Sequence, residues 1–454
     1  MTALSYAIQS APYLAAILLG LLIPIVILYL HRSFNLGLIL ISTSFLVDTW
    51  TLGGAAINLG VNLFFADAVF LLIGFSVLTR FFLTKPSPTK NVAWYIFAGL
   101  VLVSTLSGIA TFGSSAGVQA RSYFYFIVAA SYAMTFSMDD RKLGTVYKFI
   151  TIIACVLISI AIYRWVVYYL PILALLPPGG SYNIDGPIRV IYSNHALVIA
   201  QIMVGSFFFS NGTPAFANIR LFSPLLLGMV VVLQHRSVWV AAFSGIMVRF
   251  LLGKTKAGTA TSQFLLVLAI AALTAVPLIV SDKLSGVTAQ ISNSATGAMS
   301  GGGTGGERLE SWGELVKKWY GAGPRSILIG QSFGSDSTRT VTNSRGETKQ
   351  ISYIAHNLYI QTLFNTGLLG LATYLTVALY VLIGLYRICR TKRDNLHAEI
   401  LFVALVIQHV YYIPYGVDYL QAIIFGIALA YVADNRILSK KEQRHRALSK
   451  GTVL

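Results

Sequence analysis

The chain has 454 residues, of which 56% are hydrophobic and only 11% charged, and its mean hydropathy is +0.72. No water-soluble domain of this length tolerates so much apolar surface, so the composition points to a membrane protein. A formal net charge of +17 would raise nucleic acid as a partner in a soluble chain. Here many of the basic residues fall in short loops between apolar runs, where they report orientation, and no nucleic-acid partner is expected.

A helix needs roughly 17 to 25 apolar residues to cross about 30 Å of hydrocarbon. Such runs recur at 12–30, 36–50, 63–82, 92–111, 121–137, 146–170, 190–209, 221–234, 237–252 and 264–281. They return at 357–386 and as a close pair within 398–432, divided around Pro414 and Gly416. The expected fold class is an all-α polytopic membrane protein of about 12 transmembrane helices, because lipid offers backbone groups no partner outside the helix. A transmembrane β-barrel would alternate apolar and polar residues in segments of about 10, and these runs are continuous. The N-terminus lacks the basic stretch and cleavage site of a secretory signal, so the first run is expected to stay as a span. Cys155 and Cys389 form neither a CxxC pair nor a disulfide framework.

Four basic groups mark the cytoplasmic side: Arg80, Lys85 and Lys90; Arg141, Lys142 and Lys148; Lys254 and Lys256; and Arg387, Arg390, Lys392 and Arg393. Each is an even number of spans from the next, as one orientation requires, which puts the N-terminus outside. Four parts follow: an N-terminal transmembrane bundle (1–281), a periplasmic loop domain (282–355), C-terminal transmembrane helices (356–432) and a basic cytoplasmic tail (433–454). The loop domain has its own Lys and Arg, but loops beyond roughly 60 residues escape the charge rule. It opens with a Ser-, Thr- and Gly-rich stretch at 281–306, expected to be a mobile lid. This stretch is no P-loop, since no Gly-Lys-Ser/Thr follows. At 307–320, Leu309, Trp312, Leu315, Val316 and Trp319 recur at helical spacing, with Lys317 and Lys318 off that face. This pattern predicts an amphipathic helix lying on the membrane surface.

The candidate chemistry gathers on the loop side. Arg189 sits in a polar cluster, with Ser193, Asn194 and His195, that opens an otherwise apolar span. A charge at such depth is functional, paired or snorkelling. Arg236 lies in a short polar turn between two apolar runs, where it needs an anionic partner, and only 16 acidic residues are available in the whole chain. Arg308 starts the amphipathic helix, as either a site residue or a solvated surface charge. Three arginines from distant parts of the chain suit a diphosphate, because a guanidinium fork matches phosphate oxygens bidentately. His356 and Asn357 stand where the loop returns to the membrane, and a histidine there is either a general base or a satisfied helix-start residue. His195, His235 and His356 show no i, i+4 ligand pair, and no Asp-x-Asp occurs on this side, so neither a metal nor another cofactor is expected.

These residues resemble the O-antigen ligase and polymerase superfamily, whose members carry a large periplasmic loop late in the sequence. The stretch 356–370, His-Asn-Leu-Tyr-Ile-Gln-Thr-Leu-Phe-Asn-Thr-Gly-Leu-Leu-Gly, is similar to that family's histidine-asparagine start of the post-loop helix. His235, Arg236 and Ser237 resemble its arginine-serine hairpin, with Val238 and Trp239 where a small residue usually follows. Arg308 to Trp312 resembles its arginine-tryptophan loop helix, and Arg189 to Asn194 its upstream arginine. The resemblance implies metal-independent, inverting glycosyl transfer at the periplasmic face of a bacterial inner membrane. It also implies an undecaprenyl-diphosphate-linked glycan as donor and lipid A-core as acceptor, with membrane lipids around the protein. Arg236, Arg308 and His356 would be catalytic, and Arg189, Asn194, Trp312 and Asn357 would bind substrate. Polymerases and protein O-oligosaccharyltransferases of the superfamily would share these residues, and the modest loop leans toward the ligase. A transporter or lipid flippase would account for the intramembrane Asp48 and Asp67, but would show two similar halves, which this sequence does not.

Overall fold

The computed structural model describes residues 23–51, 56–58, 62–83, 92–170, 189–210, 212–252, 304–342, 348–352, 355–391 and 395–451. The expected span at 264–281 and most of the stretch expected to form a lid lie outside them. The described chain is mostly helical, as its continuous apolar runs require. Five helices are long and apolar enough to cross a membrane, at Phe34–Thr51, Phe65–Leu83, Val92–Phe112, Asp140–Val167 and Leu358–Thr391.

In chain order the helices are α1 (Ile23–Arg32), α2 (Phe34–Thr51), α3 (Phe65–Leu83), α4 (Val92–Phe112), α5 (Ser114–Met134), α6 (Asp140–Tyr169), α7 (Ser193–Phe208), α8 (Pro214–Ala217), α9 (Ser223–Val232) and α10 (Arg236–Leu251). After the undescribed stretch come α11 (Thr304–Gly321), α12 (Pro324–Ile329), the antiparallel pair β1 (Arg339–Thr342) and β2 (Thr348–Ile351), then α13 (Leu358–Thr391), α14 (Leu396–Tyr411) and α15 (Tyr419–Gly451). The first half of α15 is apolar all round and buried throughout, which makes it a central helix of the bundle. It packs along α5, and Phe425 meets Trp94, Phe126 and Tyr374 at ring separations of 5.8, 6.0 and 6.3 Å. Gln201 and Gln421 exchange two hydrogen bonds of 2.8 and 2.9 Å inside this core, so neither amide is left without a partner in the apolar interior.

One end of the bundle collects basic helix termini. There Arg80 donates to Thr135 at 2.9 Å, Asp139 caps α6 by accepting from the Lys142 backbone N–H at 2.8 Å, and Arg249 meets Glu399 at 3.4 Å. Residues 304–342, 348–352 and 355–357 and the turn between α14 and α15 lie at the other end, called the loop end below.

The amphipathic helix forms as α11. Its apolar face, expected to lie on the membrane, is instead covered by protein: Leu315 and Trp319 are buried with Ala355 and Phe364, and Trp312 and Val316 pack against them. The start of α13 supplies the apolar partners, and only Leu309 and Tyr320 at the edges remain well exposed.

The run read as one span at 357–386 is interrupted. Gly367 adopts φ 66°, ψ −168° inside α13, and Gly330, at φ 79°, packs against the break. A Cβ on either glycine would collide with the backbone of the other segment, at Leu328 or at Asn365. Carbonyls near the break find new donors: Phe364 accepts from the Gln331 backbone N–H at 2.7 Å, and Asn365 accepts from Ser104 Oγ at 2.8 Å. Such a break is tolerated in a spanning helix only when its freed backbone groups are re-satisfied in this way. Phe333, fully buried against Tyr123, and Gly334, whose N–H donates to Gln119 at 2.8 Å, complete the anchor. The loop segment is therefore fixed to α4, α5 and α13, which holds its arginine in register with the bundle.

Candidate active site

Three chain segments meet the turn between α14 and α15 at the loop end. The first runs from Arg189 to Asn194. Arg164, only 2% exposed, pins it by donating to the carbonyls of Val190, Thr49 and Trp50. His235 also holds this segment, since its Nε2 donates to the Ile191 carbonyl at 2.9 Å. Arg189 in turn reaches the Gln234 carbonyl at 3.4 Å.

The second segment is the turn between α9 and α10, made by Gln234 in the left-handed region at φ 53°. Val238 is fully buried, and Trp239 Nε1 donates to the Val230 carbonyl at 2.8 Å, closing the hairpin. The larger residues after Ser237 thus serve as the clasp of the turn. Arg236 starts α10, and its guanidinium and that of Arg189 are near enough to repel each other.

The third segment carries Arg308 and His356. Arg308 lies 5.2 Å over the Tyr415 ring and donates to the Pro414 carbonyl at 3.4 Å. The His356 ring is 6.3 Å from that of Tyr415, and the residue keeps part of its surface open to solvent while protein surrounds the rest. Loss of surrounding water holds its pKa below the ordinary histidine value, and the positive charges of Arg308 and Arg339 push it the same way. At neutral pH the imidazole is therefore uncharged, the form a general base requires. Arg339 is fixed by Ser311 at 2.6 Å and by the Ser337 carbonyl at 2.9 Å.

Tyr415 stands between these segments. Its ring stacks on Tyr411 at 4.8 Å and 10°, and Ser193, Arg308 and Ser237 are its electrostatic neighbours. The structure thus brings Arg308 and His356 to the ring of one tyrosine. Ser193 belongs to the segment that begins at Arg189, and Ser237 follows Arg236.

Three other residues expected at the site have local partners. Asn194 donates to Asp418 at 2.8 Å, and Asp418 also accepts from the Leu420 and Gln421 backbone N–H groups, capping α15. Asn357 caps α13 by accepting from the Ile360 N–H at 3.0 Å. Trp312 packs on the apolar side of α11. Sequence reasoning missed Tyr415, Arg339 and Arg164. The only signal for Tyr415 was the aromatic turn Tyr411-Tyr412-Ile-Pro-Tyr415-Gly416 dividing two apolar runs.

Arginines and a histidine thus gather at one end of a helical bundle with several helices long and apolar enough to cross a membrane. Residues 221–375, about a third of the chain, match the family model described as O-antigen ligase, which bears out the resemblance. The match contains Arg236, Arg308, Trp312, His356 and Asn357, whereas Arg189, Asn194 and Tyr415 lie outside it. No curated protein matches the chain.

Proposed function

We propose that this protein is an O-antigen ligase, moving a glycan from undecaprenyl diphosphate to lipid A-core at the periplasmic face of the inner membrane, without a metal and with inversion. About 12 spans, with 282–355 on the periplasmic side, complete that reading. The observation that carries it is the convergence of Arg308 and His356 on Tyr415, beside the neighbouring arginines 189 and 236.

In the reaction His356 takes the proton of the acceptor hydroxyl. The hydroxyl oxygen attacks the anomeric carbon from the face opposite the diphosphate. The bond from that carbon to the diphosphate oxygen breaks, and its electron pair leaves with undecaprenyl diphosphate. Arg189, Arg236 and Arg308 meet the negative charge that grows there, an effect of about 10² to 10³ in rate for a single well-placed donor. Asn194, Asn357 and Trp312 would complete the substrate surface, in addition to the local contacts they make.

The test is transfer by purified protein in detergent and EDTA, from undecaprenyl-diphosphate glycan to lipid A-core. Capped lipid A-core supports the ligase. Glycans that lengthen on their lipid, leaving the core untouched, identify a polymerase, and transfer to a pilin a protein O-oligosaccharyltransferase. Activity that returns only with a divalent cation overturns the mechanism, and no transfer under any condition favours a transporter or flippase.

A further inference from the structure

The side of the bundle formed by α3, α4 and α5 is not closed. Helices α3 and α4 both pack on α5, and a groove of about 740 Å³ runs between them with α5 as its floor. Its walls are apolar, and Leu71, Phe75, Leu102 and Phe124 stand well exposed along it. Gly99 and Gly117 widen it, since a Cβ built on either would meet open space among the described residues. Both α3 and α4 are long and apolar enough to cross a membrane, so the groove faces hydrocarbon. Water would find almost no polar partner along these walls, and a lipid chain suits them better.

The length of the groove selects the kind of chain. It follows α3 from Asp67 to Leu78 and α4 from Ala98 to Ile109. At about 1.5 Å per residue each wall is roughly 17 Å long, close to half of the roughly 30 Å hydrocarbon core. That is the depth of one leaflet and the reach of one acyl chain, much shorter than an extended undecaprenyl chain. The mouth of the groove, at the loop end, is polar. Arg121 lies 3.3 Å from Asp67, with the two side chains 18% and 17% exposed. Arg121 also donates to the Asn62 carbonyl at 2.8 Å, and Asp67 accepts from the Tyr125 hydroxyl at 2.6 Å and from the Phe64 N–H at 2.7 Å. Both charges are therefore fixed before a lipid arrives. A matched pair has little net field to offer an anionic head. A zwitterionic head meets it with both signs, phosphate to guanidinium and ammonium to carboxylate.

We propose that this groove binds a zwitterionic glycerophospholipid of the loop-end leaflet, with one acyl chain between α3 and α4 and its phosphoethanolamine head on Arg121 and Asp67. The proposal does not depend on the transfer reaction given above.

The test uses the full chain, purified in detergent and stripped of lipid, then titrated with phosphatidylethanolamine, phosphatidylglycerol or undecaprenyl diphosphate and read by native mass spectrometry. The parent should take up one phosphatidylethanolamine about 10-fold more tightly than phosphatidylglycerol, the effect of one charge-assisted hydrogen bond. Gly117→Leu puts a side chain into the open groove and should abolish that uptake. Its unfolding midpoint should stay at or above the parent's, because leucine is the better helix former. Gly99→Leu repeats the test from α4. Arg121→Gln should weaken uptake about 10-fold. Undecaprenyl diphosphate should bind the parent and Gly117→Leu alike. Equal uptake of the two phospholipids, or parental phosphatidylethanolamine uptake by both folded glycine variants, overturns the proposal. Loss of undecaprenyl diphosphate alone in those variants also overturns it, and would give the groove to a polyprenyl chain instead.

Discussion

Arginine is held in two ways in this molecule, and the difference separates fold from site. At the end opposite the loop, Arg249 and Glu399 lie 3.4 Å apart with side chains only 7% and 5% exposed. Charges that far from water persist because each neutralises the other. Arg121, at the loop end, belongs to the same kind through Asp67 at 3.3 Å. Arg308 is different: among the described residues its partners are the Pro414 carbonyl and Tyr415, both neutral. A guanidinium matched to a carboxylate has its field cancelled within the fold. One held by neutral acceptors still presents its charge to an incoming anion.

The sharpest way to break this comparison is to remove a cation of the first kind. Arg249→Ala leaves Glu399 buried without its counter-charge, and unfolding in detergent should show a loss of about 3 to 5 kcal/mol. Replacing both partners by leucine should recover most of that, because the unmatched charge, not the lost pair, is what costs stability. A parental midpoint for Arg249→Ala would remove the distinction drawn here.

A second prediction concerns the break that seats the loop domain. Gly367 occupies a region of backbone space that is essentially reserved for glycine, and a side chain there costs about 1 to 3 kcal/mol. Gly367→Ala should lower the unfolding midpoint accordingly and, by displacing 328–331, raise hydrogen exchange across 324–335. Unchanged exchange in that segment would mean that the loop domain is held from elsewhere.

The smallest expected effect is a pH shift. His356 titrates below the ordinary histidine value, so kcat should be level at neutral pH and fall as acid protonates the imidazole through that lowered pKa. Arg339→Gln removes one positive charge acting on the ring. The His356 pKa then rises toward its usual value and the acid limb of the pH–kcat profile moves to higher pH. A limb that stays in place, or moves to lower pH, would show that Arg339 does not act on the base.

Much of this architecture was legible in the sequence because it rests on short-range signals. Apolar runs marked the five described helices long and apolar enough to cross a membrane, spacing gave α11, and the four groups His356, Arg236, Arg308 and Arg189 could be picked out because charged residues are scarce in so apolar a chain. What stayed hidden depended on distant contacts. The Gly367 break cannot be seen without Gly330 packed against it. Periodicity shows that α11 has an apolar face, but not that α13 rather than lipid covers it. Tyr415 reads as one aromatic among 24 tyrosines, because its neighbours Ser193, Ser237 and Arg308 each lie more than a hundred residues away in the chain.

The central claim is that Arg308 and His356 serve one transfer, Arg308 on the departing diphosphate and His356 on the acceptor hydroxyl, and a single-turnover measurement tests it most directly. Purified protein in EDTA is mixed with undecaprenyl-diphosphate glycan and acceptor, and released undecaprenyl diphosphate is followed for the parent, Arg308→Ala and His356→Ala. The account predicts a release rate about 10² to 10³ lower for Arg308→Ala and about 10² to 10⁴ lower for His356→Ala, with both unfolding midpoints at the parent's value. Release at the parental rate from either folded variant would contradict it.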